Sequence, residues 1–206
     1  MNTYDSPYHL PQDIGCLYLH GFLSSPDSLK AKQLQQYFND QGCGWQIAIP
    51  ALPFEPEQAI AVAEQAYGEL LQDSRIEKVL IIGSSLGGYY ATYLAEKYNC
   101  KAALINPAVA PYNLFENYLG PNKHYYSGET HILTMDHIDQ LKALDVVTVN
   151  QADNLLLLLQ TEDETLDYRL ASRKYQSSPS WLESGGNHSF ENFMERIEMI
   201  WFFAGK

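Results

Sequence analysis

Cysteine is scarce. Cys16, Cys43 and Cys100 are the only three in the chain, too few and too scattered for a disulfide framework or a zinc cage, so a reducing, cytoplasmic setting is expected. Long hydrophobic runs are missing as well. The longest strictly aliphatic one is Leu155 to Leu159, far below the ~20 residues that span a bilayer. The first residues, Met1 to Gln12, are polar and proline-bearing and carry no apolar segment of a signal peptide. Positive charge is thin: 13 Lys and Arg face 25 Asp and Glu, a formal net charge of −12, with no dense basic stretch. Neither a nucleic-acid backbone nor an anionic membrane is therefore an expected partner. A long Gly-rich loop with a lysine is lacking too, which disfavours nucleotide binding. His124, His131 and His137 stand seven and six residues apart. That spacing matches no compact metal site, so neither a metal nor a cofactor is expected.

What is present suffices for one domain over residues 1–206, since 46% of the residues are apolar and 18% charged. A short apolar run followed by a stretch of helical period recurs along the chain. Ile14 to Leu19 is the first run. Behind it Ser28 can cap a helix whose apolar face reads Ala31, Leu34 and Phe38. Trp45 to Ile49 reads as the next strand, and Ile60, Ala63, Tyr67 and Leu70 mark the next helix. Val79 to Ile82 precedes a helix over Leu86 to Tyr98. Ala102 to Ile105, Leu155 to Gln160 and Trp181 to Glu183 complete the strands, and a final helix carries Phe190, Phe193, Ile197 and Trp201. Strands apolar on both faces, alternating with amphipathic helices, predict a doubly wound α/β domain with a mostly parallel sheet of about six strands. Ligands of such sheets bind beyond the carboxyl ends of the strands. Residues 111–150 break the rhythm, with Tyr112, Tyr118, Tyr125 and Tyr126 and one short helix from His137 to Leu144. An insertion of this size predicts a cap or lid.

The chemistry sits where the strands end. Gly83-Ser84-Ser85-Leu86-Gly87 fits G-x-S-x-G between an apolar strand and a helix. A nucleophile at the apex of a strained strand–turn–helix leaves no room for a Cβ two residues away on either side. Gly83 and Gly87 meet that need around Ser85; Ser84 has no such flanks. His20-Gly21-Phe22 follows the first strand, in the loop that supplies one oxyanion donor, so the backbone N–H groups of Phe22 and Leu86 are the expected pair. His188 follows Gly185-Gly186-Asn187, after the last strand and before the last helix, as a base should. The acid should follow Leu155 to Gln160. Asp163 is favoured there, with Glu162, Glu164 and Asp167 as rivals. His20, Gly21 and Tyr89 are further candidates for substrate contact.

From Leu17 to Phe203 the chain resembles the small bacterial esterases of the YqiA/YcfP type, within the α/β-hydrolase fold. The resemblance is carried by Leu17-Tyr18-Leu19-His20-Gly21-Phe22 with Ser24-Ser25-Pro26, and by Gly83 to Thr92. Asn106-Pro107-Ala108-Val109, Tyr118-Leu119-Gly120, Asp163-Glu164 with Leu166 to Arg169, and Gly185 to His188 also belong to it. It implies a compact hydrolase without the two N-terminal antiparallel strands of larger relatives, carboxylic-ester substrates, and Ser85, Asp163 and His188 as the triad. The family tends to place Gly before the acid where this chain has Glu162, which makes Glu162 the strongest rival of Asp163.

The expected activity is thus ester hydrolysis on a small molecule. Short acyl chains are favoured, since the only cap segment has no long apolar face suited to lipid. A thioesterase would run the same chemistry. A non-catalytic binding or scaffold protein on a hydrolase fold is the alternative from another class, though a pure binder has no need for serine, acid and histidine in that order. The oligomeric state is left open.

Overall fold

A computed structural model describes residues 10–206; most of the polar Met1 to Gln12 stretch lies outside the described residues. Six strands form one sheet: β1 (Ile14–Leu19), β2 (Ile47–Ala48), β3 (Lys78–Ser84), β4 (Ala102–Ile105), β7 (Leu155–Gln160) and β8 (Ser180–Glu183). Their order is β2-β1-β3-β4-β7-β8, and every neighbouring pair is parallel. Two short strands, β5 (Gly120–Lys123) and β6 (Thr130–Leu133), pair separately as an antiparallel hairpin. The helices are α1 (Leu29–Asp40), α2 (Pro56–Leu70), α3 (Leu86–Tyr98), α4 (Pro111–Phe115), α5 (Met135–Ala143), α6 (Tyr168–Lys174) and α7 (Ile197–Ala204).

The central strands are apolar throughout because both faces are covered. Successive side chains on a strand point to opposite faces, and each parity meets its own layer. Leu17, Val79, Ile81, Leu104 and Leu157 pack with α2, α3 and α5. Cys16, Tyr18, Leu80, Ile82, Ile105 and Leu158 pack with α1 and α7. Most are under 2% exposed, and each such aliphatic side chain contributes roughly 2 kcal/mol relative to exposure. The register brings the strand ends level: Leu19 lies beside Gly83, Ser84 beside Ile105, and Ile105 beside Leu158. Everything that follows β1, β3, β4 and β7 therefore emerges along one edge.

Three local expectations shift. The strand expected over Trp45 to Ile49 shrinks to Ile47–Ala48, because Gly44–Gln46 coil into a turn of 3-10 helix. That turn aims the buried Gln46 amide inward, where it donates to the carbonyls of Pro11 (2.8 Å) and Ile14 (3.1 Å). The helix expected from His137 begins two residues earlier, at Met135, because Thr134 caps it. The His137 Nδ1 accepts the Thr134 backbone N–H at 3.0 Å. The last helix starts only at Ile197: Phe190 and Asn192 both have positive φ (59° and 57°), and a 3-10 turn over Phe193–Arg196 leads in. Phe190, Phe193, Ile197 and Trp201 are nonetheless all buried against the sheet.

The 111–150 segment divides in two. Ile138 and Leu141 of α5 are fully buried in the layer of α2 and α3, so α5 completes the core. Before it, Phe115 and Leu133 are buried as well, whereas the rest of the hairpin stays near the surface, with Tyr125 76% and Ile132 55% exposed.

Candidate active site

Ser85 stands at the apex between β3 and α3 with φ 57° and ψ −120°, a region that non-glycine residues avoid at a cost of ~1–3 kcal/mol. The neighbours hold it there. Its N–H donates to the Ile105 carbonyl (3.0 Å), and its own carbonyl accepts from Gly88 (2.9 Å) and Ala108 (3.0 Å). The flanking glycines are required sterically. A Cβ on Gly83 would overlap the Gly87 carbonyl, and one on Gly87 would overlap the Leu19 carbonyl. A Cβ on Gly21 would stand 3.2 Å from that of Ser85, so the loop after β1 lies directly alongside.

His188 comes from the loop after β8. Gly185 and Gly186 both take positive φ there (86° and 75°), and Gly186 lies so close to the Gln160 side chain that a Cβ would overlap it. Gln160, the buried last residue of β7, organises the loop with its whole amide. Its Oε1 accepts from the N–H groups of Asn187 (3.1 Å) and Glu191 (2.8 Å). Its Nε2 donates to the Glu183 carboxylate (2.8 Å) and the Glu191 carbonyl (3.0 Å). Asn106, at φ 40° beyond β4, adds a second anchor. Its Nδ2 donates to the carbonyls of Asn187 (3.0 Å) and His188 (3.3 Å), while its Oδ1 accepts the Gln160 N–H (3.0 Å).

The four acidic candidates beyond β7 separate cleanly. Asp163 has a side chain only 2% exposed. Its Oδ1 accepts the N–H groups of Thr165 and Leu166, both at 2.8 Å, and its Oδ2 lies 2.8 Å from His188 Nδ1. Glu164 instead accepts the His188 backbone N–H (2.9 Å). Asp167 caps α6 through the Arg169 N–H (3.0 Å). Glu162 is exposed, and its side chain makes no hydrogen bond among the described residues. With Nδ1–H donated to Asp163, the Nε2 lone pair of His188 faces the Ser85 hydroxyl at 3.0 Å. The arrangement can withdraw a proton from Ser85 Oγ and return it elsewhere.

Among the described residues, the amides of Phe22 and Leu86 donate to no protein acceptor. Both border a cavity of about 930 Å³ that also takes in Gly21, Ser85 and His188. The Phe22 ring is wedged against Phe54 and Phe115, at centroid distances of 5.4 and 4.4 Å. His20 does not border this cavity. It is buried, accepts the Leu52 N–H at Nε2 (3.0 Å) and donates from Nδ1 to the Gly21 carbonyl (3.0 Å). Burial pushes its imidazole below the ordinary value, so it is a neutral strut for the loop. Tyr89 does not reach the cavity either; its hydroxyl donates to the Leu141 carbonyl (2.6 Å), pinning α5 to α3. Of the three candidates for substrate contact, only Gly21 lines the cavity. His124 fastens the hairpin to the same loop: its Nε2 donates to the Ser24 carbonyl (2.8 Å), beside a bond from the Tyr125 N–H to the Leu23 carbonyl (3.1 Å). His131 stacks on Phe54 (4.8 Å) and His137 meets the same ring edge-on (5.2 Å). Gln160 and Asn106 were invisible as site residues in the sequence, and Glu164 was weighed there only as a rival acid; the one available hint was a polar side chain at or just past a buried strand end.

A parallel sheet whose third strand in the chain turns through a strained serine into a helix, with the histidine loop at the same edge, defines the α/β-hydrolase fold. Solved structures share it. Est1E from Butyrivibrio proteoclasticus superposes with a TM-score of 0.65 at 14% identity, covering 94% of this chain and 90% of that one. A monoacylglycerol lipase from Paleococcus ferrophilus gives 0.66 at 16% identity, covering 100% and 99%. At these identities the likeness is one of fold. The chain belongs to the uncharacterised protein family UPF0227, whose family model matches residues 15–205. Among its relatives, the UPF0227 protein YcfP of Salmonella gallinarum is 24% identical over 188 residues, covering 89% of this chain and 95% of its own. A UPF0227 protein of Citrobacter koseri is 24% identical over 185 residues with the same coverage. Among the described residues no helix is long and apolar enough to cross a membrane.

Proposed function

We propose that this protein is a serine hydrolase of small carboxylic esters with short acyl chains, acting through Ser85, His188 and Asp163. The observation that carries the reading is the unbroken hydrogen-bonded line from the Ser85 hydroxyl through both nitrogens of His188 to a buried Asp163, at 3.0 and 2.8 Å. Ser85 Oγ attacks the ester carbonyl while its proton passes to His188 Nε2. The carbonyl oxygen becomes an oxyanion held by the amides of Phe22 and Leu86, at ~3 kcal/mol per donor. Collapse breaks the bond to the leaving alcohol, which takes the proton from His188. Water, deprotonated by the same imidazole, then releases the acid from Ser85. Asp163 keeps the proton on Nδ1 and stabilises the imidazolium.

The whole chain is read as one domain, with the part of residues 111–150 that precedes α5 as its cap, since α5 completes the core. The cavity wall is largely apolar, with Phe22, Leu86, Phe115 and Phe190 beside the polar Ser24 and Asn122; the preference for short acyl chains rests on the cap, which has no long apolar face suited to lipid. Peptide mapping after fluorophosphonate treatment tests the nucleophile. The adduct is expected on Ser85 and absent from Ser85→Ala; an adduct on Ser84, or none on folded protein, defeats the reading. In a 4-nitrophenyl ester series the acetate and butyrate are expected to exceed the palmitate, and interfacial activation on long-chain emulsions would count against short chains.

A further inference from the structure

Lys30 belongs to α1, not to any strand end, and yet it lines the same cavity as Ser85 and His188. Its ammonium carries three N–H bonds. One is used: Nζ donates to the Ser189 carbonyl at 2.6 Å. Among the described residues Lys30 has no ion pair, whereas Lys32 in the same helix pairs with Asp27 at 3.0 Å. The carboxylates nearby are already engaged. Asp163 spends its oxygens on His188, Thr165 and Leu166. Glu191 takes the Asn187 side-chain amide (2.8 Å), and Glu195 pairs with Arg196 (3.5 Å).

This placement works against the stability of the chain on two counts. A cation in the first turn of a helix opposes the helix dipole, and the first turn of α1 has no acidic residue to offset it. Burial also lowers the ammonium to about 8, against a weaker opposing pull from Asp163. It is still charged at neutral pH. A half-buried cation with spare donors, set in a cavity of a protein of net charge −12, has a use if an anion enters that cavity.

We propose that Lys30 binds an anionic group, such as a carboxylate, carried by the ester substrate away from its scissile bond. The proposal rests on the hydrolase reading and narrows its substrate class from neutral to anionic esters. The carboxylate could sit on either side of the ester, and two matched pairs separate the sources. For the acyl side the pair is 4-nitrophenyl hemiglutarate against 4-nitrophenyl pentanoate. For the alcohol side it is 3-acetoxybenzoate against its methyl ester. In the natural protein the anionic member of one pair is expected to have the higher kcat/KM, by tenfold or more. Lys30→Met is expected to lower that anionic-to-neutral ratio at least tenfold, chiefly through KM, and Lys30→Arg to retain most of it. Any loss shared equally by both members reports only the bond to Ser189. The proposal is overturned if neither pair shows an anionic preference, or if Lys30→Met leaves the ratio unchanged. Calorimetry with glutarate and with 3-hydroxybenzoate keeps the two readings apart, since it needs no turnover. If no ester is cleaved and Ser85 takes no fluorophosphonate, the hydrolase reading fails. Binding of either anion that weakens at least tenfold in Lys30→Met still supports the anion site, and no binding of either anion to the natural protein overturns it.

Discussion

Replacing Asp163 by Asn changes one proton and almost no volume, and the surrounding bonds decide which way the new amide points. Oδ1 accepts two backbone N–H groups, from Thr165 and Leu166, both at 2.8 Å. An NH2 group cannot accept them, so the amide oxygen keeps that place. The NH2 is then forced to the position of Oδ2, 2.8 Å from His188 Nδ1. Two donors cannot share that contact. An Nδ1 proton would have only Oδ1 left, 3.0 Å away and already accepting two N–H groups, so the imidazole is expected to carry its proton on Nε2, which then donates toward Ser85 and can no longer accept from it. In serine-protease chemistry the same wrong tautomer lowers kcat by ~10⁴, equivalent to ~5.4 kcal/mol of transition-state stabilisation. Asp163→Asn is therefore expected to lose three to four orders of magnitude (~10³–10⁴) in kcat on 4-nitrophenyl acetate. KM and the urea midpoint should change little, because both backbone bonds survive. Nitrogen NMR of the imidazole would read the tautomer directly. Glu162→Gln, at an exposed side chain, should stay within about twofold, since it touches no bond of the site. Near-full activity in Asp163→Asn, or a large loss in Glu162→Gln, would refute the assignment of the acid.

Gln160→Leu removes four hydrogen bonds, three to the histidine loop and one to Glu183 at the end of β8, so a loss of ~2–4 kcal/mol in urea unfolding should accompany a fall in kcat larger than the rise in KM; kinetics like those of the natural protein would show that the loop is held by other means. Gly87→Ala should lose ~3 kcal/mol or more because its Cβ meets the backbone of Leu19. Gly68→Ala, inside α2 with nothing within 4 Å, should instead gain up to ~1 kcal/mol. Equal urea midpoints for the two would contradict the steric account. His20 is held neutral by burial, its imidazole lying below the ordinary 6.5. The unfolded chain therefore takes up this proton first on acidification, and the stability His20 provides is complete above pH 6.5 and declines below it. The Tm lost between about pH 7.5 and 5.5 should shrink in His20→Gln, and an undiminished loss would contradict the assignment.

Three of the four central strands could be read to the residue because burial on both faces leaves mostly apolar side chains: β1, β4 and β7 keep the expected bounds, whereas β3 runs over Lys78–Ser84, beyond the expected Val79 to Ile82 at both ends. β2 was over-read because Trp45 belongs to a turn, where its ring lies 3.6 Å from the Arg75 guanidinium, a tertiary contact with no trace in local sequence. The hairpin went unseen because Gly-Pro-Asn-Lys and Thr-His-Ile-Leu show neither clean alternation nor a two-residue turn between them. At the site, Ser85 and His188 were legible because a close approach and a reversing loop demand glycines in the sequence. Among four clustered carboxylates the sequence favoured Asp163 by its distance from the strand end. What orients it is the pair of amides at 165 and 166, and that depends on loop geometry. Lys30 lies on a surface-like helix face in the linear pattern, and only the folded α1 brings it to the cavity.

The hairpin is fastened to the loop after β1, and this restricts how the two can move. The bonds from His124 to Ser24 and from Tyr125 to Leu23 attach one and two residues beyond Phe22. A displacement of the hairpin tip would break both, and with them would go the support of the backbone next to the Phe22 amide. With the Phe22 amide in the role proposed for it, the developing negative charge would lose a settled place whenever the tip is displaced. Changes at the hairpin tip are therefore expected to register as altered turnover by this route, in addition to any effect of Tyr125 and Tyr126 on the cavity they line.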